Sequence, residues 1–123
     1  MAAYTNTVMV ADTTDVTSMM GAGVDAAYTV TMQDAVGVYL EAYLSVISGY
    51  DLVTNWGSLG AKAKLMLSEF VARGIAIEGI KYNMGATYTS RVEAENMINI
   101  HIWRMGLIEA ALREPGTLKY LQT

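Results

Sequence analysis

From Thr31 onward the apolar positions of this chain recur at spacings of three and four; before it they do not. Val36, Tyr39, Leu40, Tyr43, Leu44 and Ile47 form one such face, which predicts an amphipathic helix. Thr31 followed by Asp34 predicts its N-cap and an acid in its first turn. Gly49 and the run NWGSLG at 55–60 punctuate its end. Leu65, Leu67, Phe70, Val71, Ile75, Ile77 and Ile80 supply the apolar bulk of a second helix, and NMGATYTS at 83–90 reads as a loop. The third helix is the best marked. Ser90 and Glu93 have the S-x-x-E spacing of a capping box, and Pro115 with Gly116 stops the helix after Glu114. Within it Ala94, Ile98, His101, Met105, Ile108 and Leu112 make a seam for neighbouring helices.

The first thirty residues follow another pattern. YTNTVMV and AYTVT alternate small polar with apolar residues, as short strands or extended arms do, and GAG between them reads as a joint. The predicted fold is therefore mainly α: a three-helix core at about 32–55, 60–83 and 91–114 within a helical domain at 31–114. An extended or short-β N-terminal arm (1–30) precedes it, and a short C-terminal tail (115–123) follows. Two short strands alone are marginal, so the arm must lean on the helices or on a neighbouring subunit. Glycines inside the helices (Gly37, Gly74, Gly79, Gly106) each cost about 1 kcal/mol relative to alanine, a cost usually offset by close approach of another element.

Composition sharpens the picture in one respect. The chain of 123 residues is 53% hydrophobic and only 16% charged, against about 25% charged in ordinary globular domains. So little charge leaves apolar surface for a partner. The net charge of −4 is unevenly spread: residues 1–60 hold six acids and no base, whereas residues 61–123 hold eight bases and six acids. Chance in a weakly charged chain explains this, as does head-to-tail contact between copies. The scattered bases form no patch for sequence-specific nucleic-acid binding. The N-terminus has no basic n-region and meets Asp12 and Asp15 early, and every apolar segment is interrupted by charge, which predicts a soluble chain without a secretory signal or membrane span.

Candidate chemistry is thin. There is no cysteine, which excludes disulfides, thiol catalysis and thiolate metal sites. His101 is the lone histidine, and its neighbours at three and four positions are Met97, Ile98, Arg104 and Met105, with no carboxylate among them. A Glu-x-x-His di-metal motif would need Glu where Ile98 stands. A catalytic His101 would thus require Glu partners from other helices. Glu93 is explained by capping, Glu95 can pair loosely with Arg91, and Glu69, Arg73, Glu78 and Lys81 read as a solvated face with Glu69–Arg73 at i,i+4. GAGVDAAY at 21–28 lacks the third glycine of a dinucleotide loop, where Ala26 stands, and no βαβ unit surrounds it. No cofactor or metal is implied.

Nine methionines and eight tyrosines suit adaptable, half-wet contacts, and with the basic side chains they give the partner-interface candidates: Met9, Met19, Met20, Tyr28, Tyr39, Tyr43, Trp56, Arg73, Trp103, Arg104 and Tyr120. In size, in three helices between about 32 and 114, and in the flanking segments YTNTVMV and TLKYLQT, the chain resembles the small head–tail adaptor (connector) proteins of tailed phages. The resemblance implies a non-enzymatic, ring-forming subunit of the virion, assembled in the host cytoplasm, with itself, a portal protein and a tail-side protein as partners. A cytoplasmic ligand- or partner-binding regulatory module, antitoxin-like and using Tyr39, Tyr43, Trp56 or Trp103, is the alternative; an enzyme centred on His101 is the third.

Overall fold

The computed structural model describes residues 3–13, 16–17, 19, 28–82 and 91–113. Within them the chain is mainly helical. Three helices, α1 (Val30–Ser48), α2 (Ala61–Tyr82) and α3 (Arg91–Arg113), each pack against the other two, and a short 3-10 turn at Trp56–Ser58 precedes α2. The three-helix core has the order that the periodicity predicts. Residues 3–13 carry no strand, only an isolated antiparallel bridge between Ala3 and Asp12, with the Tyr4 N–H donating to Ala11 O at 3.0 Å. The predicted capping Ser90 and the segment 83–90 lie outside the described residues, as do GAG at 21–23 and the tail from Glu114 onward.

The first helix differs most from expectation. Its cap is Thr29, not Thr31: the Thr29 Oγ1 accepts from the Met32 N–H at 3.2 Å. It stops at Ser48, seven residues before the predicted end, because Gly49 turns left-handed (φ 69°). The Gly49 N–H then reaches Val46 O and the Tyr50 N–H reaches Ser45 O, closing the last turn in a Schellman motif. Beyond it the Asp51 carboxylate caps the following turn, accepting from the Thr54 N–H and hydroxyl. Leu52 and Leu59 drop from this connection into the core.

Helix α2 lies at the centre of the core, with Leu67, Phe70, Val71, Ile75 and Ile80 fully buried and its charges confined to Lys62, Lys64, Glu69, Arg73, Glu78 and Lys81. Helix α3 lays the predicted seam on it: Ala94, Ile98, His101, Ile108 and Leu112 are buried, and Met105 packs beside them. The amino-terminal residues Tyr4, Met9, Val10 and Val16 belong to the same core as the helices.

What fixes that amino-terminal segment is α1. The residues α1 buries most fully are Gln33, Asp34, Gly37, Glu41 and Leu44; of the predicted face, Val36, Leu40, Tyr43 and Ile47 pack half-buried on the core beside Leu44, and Tyr39 is exposed. Asp34 does not serve the helix dipole. Its carboxylate accepts the backbone N–H groups of Asn6 and Thr7 (the latter at 2.8 Å), the Thr7 hydroxyl at 2.7 Å, and the Asn6 side-chain amide. Glu41 accepts the N–H groups of Val8 at 2.8 Å and Met9 at 2.6 Å. Gln33 accepts the Tyr4 hydroxyl at 2.6 Å and donates to Tyr28 O. Gly37 lets the segment come this close: a Cβ there would lie 2.5 Å from Thr7 Oγ1 and 3.3 Å from Ile75 Cδ1.

Two predictions follow from this packing. Asp34→Ala leaves the backbone N–H groups of Asn6 and Thr7 without their acceptor, while the Thr7 hydroxyl keeps the carbonyl of residue 34, and is expected to lower unfolding free energy by about 2–3 kcal/mol in urea melts. Gly37→Ala is expected to destabilise despite a gain in helix propensity, whereas Gly106→Ala, whose Cβ meets nothing within 4 Å, should stabilise by up to about 1 kcal/mol. Thermal melts of the two variants read the opposite signs.

Candidate functional site

Two polar clusters and two apolar faces are the places where chemistry or binding could reside. The first cluster is the pair of carboxylates on α1. Burial alone would raise the Asp34 carboxyl, but the hydrogen bonds from Thr7 and Asn6 overcome it and hold the group below the usual carboxylate range. Burial pushes Glu41 up; the Met9 and Val8 N–H groups counter this only in part, and the charge of nearby Asp34 adds to the rise. Both acids are consumed by the backbone they hold.

The second cluster joins α2 to α3. Arg73 donates through Nε to Glu69 Oε1 at 3.0 Å and through Nη1 to His101 Nδ1 at 2.9 Å. Arg104 reaches the same Glu69 carboxylate through Nε and Nη2, at 3.1 and 2.9 Å. The Glu69–Arg73 pair, expected on a solvated face, instead lies half-buried and ties two helices together. Glu78 and Lys81 do form the exposed pair, at 3.6 Å.

His101 is buried within this cluster. A guanidinium can only donate and a carbonyl can only accept, so Nδ1 is the acceptor from Arg73 and Nε2–H the donor to Met19 O at 3.0 Å. The ring is the neutral Nε2–H tautomer with both nitrogens engaged. Burial lowers its pKa first and the Arg73 charge lowers it further, while the Met19 carbonyl works the other way; the result is below the ordinary value. Glu69 is joined to His101 only through Arg73, so the cluster supplies no carboxylate–imidazole pair. Glu69 itself is raised by burial but more strongly lowered by Arg104 and Arg73. Among the described residues no three His, Cys, Asp or Glu side chains gather as metal ligands.

The apolar faces lie outside. With Gln33, Asp34 and Glu41 turned inward, α1 shows Met32, Ala35, Val38, Tyr39, Ala42 and Val46 to solvent, Tyr39 at 71% and Val46 at 78% exposure. Both charged residues of α1 are buried, so no charge remains on this outer face. Helix α3 is two-sided. Opposite its buried seam, Asn96, Ile100, Trp103, Leu107 and Ala110 recur at four, three, four and three, all exposed, with Trp103 at 64%. Between α1 and α2 an open apolar groove of about 400 Å³ lies beside Tyr39, lined by Val36, Leu40, Gly74, Ile77 and Met105 with Glu78 among them.

The interface candidates read from the sequence divide accordingly. Tyr39 and Trp103 stand on these outer faces. Met9 and Tyr28 are instead buried in the chain's own core, the Tyr28 hydroxyl donating to Ile75 O at 2.8 Å. Met19 packs against that core and gives its carbonyl to His101. Tyr43 is half-buried, stacked near Phe70, with its hydroxyl bonded to Glu109 and Arg113. Trp56 is half-buried beneath the Lys64 ammonium, and Arg73 and Arg104 are bound to Glu69. Met20 and Tyr120 lie outside the described residues. Missed from sequence were Asp34 and Glu41 as holders of the amino-terminal segment, and the outer residues Met32, Val46, Ile100 and Leu107. The spacing of Ile100, Trp103 and Leu107 opposite the inner seam was a readable signal.

Comparison with known proteins adds nothing to this geometry: no family model matches the chain, and no curated protein or solved structure matches it significantly.

The histidine cluster makes a pH prediction. The folded state holds His101 neutral below its ordinary value of 6.5, so the unfolded chain binds the proton more readily. Stability from this site is fully present above about pH 6.5 and is lost as pH falls below it. Between pH 7 and pH 5 the unmodified chain should lose more unfolding free energy than His101→Gln, which cannot titrate at that position; the raised Glu41 carboxyl acts with the opposite sign in both chains and cancels in the comparison.

Proposed function

We propose that the chain is a non-enzymatic structural subunit that assembles with copies of itself through apolar faces of its helices. The observation that carries this reading is the uncharged apolar outer face of α1. A surface helix normally wets its charged residues; α1 buries both of its own, Asp34 and Glu41, and its outer face, with Met32, Val38, Tyr39 and Val46 exposed, is uncharged along its length. The outer seam of α3 supplies a second such face. The low share of charge and the acidic and basic halves of the sequence support contact between unlike surfaces of neighbouring copies.

Within this reading the finer assignment is a virion head–tail adaptor or related ring-forming connector, with a portal protein on one side and a tail-side protein on the other. Size and the three-helix core support it. No helix among the described residues is long and apolar enough to cross a membrane. The groove beside Tyr39 favours a second reading, a module that binds a small apolar ligand or a partner segment.

Native mass spectrometry with sedimentation at high micromolar concentration tests the proposal. Assembly reading predicts a discrete oligomer. A strict monomer across the concentration range overturns it and leaves the ligand-binding module as the better account.

A further inference from the structure

We propose that the junction of Glu69, Arg73, Arg104 and His101 is a proton-operated latch: a proton on His101 breaks its bond with Arg73 and lets the carboxyl end of α2 and the amino end of α3 part, while the rest of the core stays folded. The latch is independent of self-assembly, and two observations carry it.

The first is the geometry at the ring. His101 Nδ1 accepts from Arg73 Nη1 at 2.9 Å, and Nε2–H donates to Met19 O at 3.0 Å. Nε2 already carries a hydrogen, so an added proton goes to Nδ1. Nδ1–H then confronts a guanidinium N–H, donor against donor and cation against cation, and that contact is lost. The bond to Met19 O survives, because a charged donor strengthens it.

The groups around the ring do not offset the new charge. From α2 it is faced by Arg73, with Glu69 behind; on α3 Arg104 holds the same Glu69 through Nε and Nη2. The amino-terminal segment presents the uncharged Met19 carbonyl, and the two acids of α1 are engaged by residues 6–9. A protonated ring therefore sets three cations against one carboxylate. Burial first, and the Arg73 charge after it, hold the folded ring below its ordinary value against the pull of the Met19 carbonyl. The proton is thus taken up most readily when the junction opens.

The second observation is where the ring sits. The buried apolar residues form a large cluster and a small one, and the small one consists of Ile77, Ile80, Ala94 and Ile98. Along α3, Ala94 and Ile98 belong to the small cluster, His101 follows, Met105 touches both clusters, and Ile108 and Leu112 belong to the large one. The Arg73–His101 bond stands at that boundary, with the Arg104–Glu69 pair on the large-cluster side of it. Four buried residues make a small apolar contact, of the kind that opens locally while a larger core persists. Loss of the bond at the boundary therefore falls on the small cluster, and Arg104 with Glu69 still ties α3 to α2 beyond it.

Amide hydrogen exchange on the full chain between pH 7 and pH 5, expressed as protection factors so that intrinsic rates cancel, tests the latch. Protection at 76–82 and 93–100 is expected to fall by up to about tenfold per pH unit below about pH 6.5, while that at 63–72 and 105–112 holds. His101→Gln, whose amide can accept from Arg73 and donate to Met19 O without titrating, is expected to lose this pH dependence. Imidazole nitrogen NMR of the unmodified chain needs no variant and is expected to show the neutral Nε2–H tautomer at pH 7. Protection that is unchanged with pH, or that falls evenly along all three helices, overturns the proposal. So does a pH dependence that survives in His101→Gln, or a ring that is already imidazolium at pH 7.

Discussion

Two carboxylates on one face of α1 hold the amino-terminal segment by its main chain, and much else in the structure depends on that grip. Asp34 and Glu41 are two helical turns apart, on the same side of the helix, and between them they accept four consecutive backbone N–H groups, from Asn6 to Met9. An extended segment without a strand partner would otherwise carry those donors into the core unsatisfied. The acids replace the missing strand. In doing so they set the rotation of α1, since both must point inward, and this turns Met32, Tyr39 and Val46 to solvent. The apolar exterior is thus the other side of a hydrogen-bonding solution reached in the interior.

That coupling explains where the sequence was legible and where it was not. Helices α2 and α3 could be read to within a residue or so, because a helix buried against its neighbours shows its apolar seam directly in the spacing of Ala94, Ile98, Met105, Ile108 and Leu112. Helix α1 could be recognised as a helix and its apolar face placed on the core through Val36, Leu40, Tyr43, Leu44 and Ile47, but the polar face it also buries could not. Counting apolar positions assumes that polar residues face water, and Gln33, Asp34 and Glu41 break the assumption because their partners lie about thirty residues away in the chain. Thr29 as the cap and Gly49 as the stop depend on local geometry that Thr31 and the later glycines imitate in composition. The histidine cluster was half legible. Glu69 and Arg73 are visible as an i,i+4 pair, but that Arg73 also meets His101 and that Arg104 meets Glu69 depends on the docking of α3 onto α2.

His101 shows how a residue type associated with catalysis can serve as a strut. A neutral imidazole accepts from a guanidinium on one side and donates to a carbonyl on the other, linking α3 at once to α2 and to the amino-terminal segment at Met19. Arg73, shared between Glu69 and His101, keeps its charge compensated inside the junction. These contacts, with the Arg104–Glu69 pair beside them, add a polar bridge to the apolar packing between α2 and α3.

The grip on the amino-terminal segment has a consequence for how such a chain can diverge. Asp34 and Glu41 recognise the peptide unit, which every residue but proline carries with its N–H. At Asn6 and Val8, whose side chains are exposed, almost any replacement preserves the four bonds, while the two acids and Gly37 on the helix are bound to their types. Descendants of one ancestor could therefore keep this architecture with little in common along residues 6–9, and their kinship would be carried by a sparse trio on the opposing helix: acid at 34, glycine at 37, acid at 41.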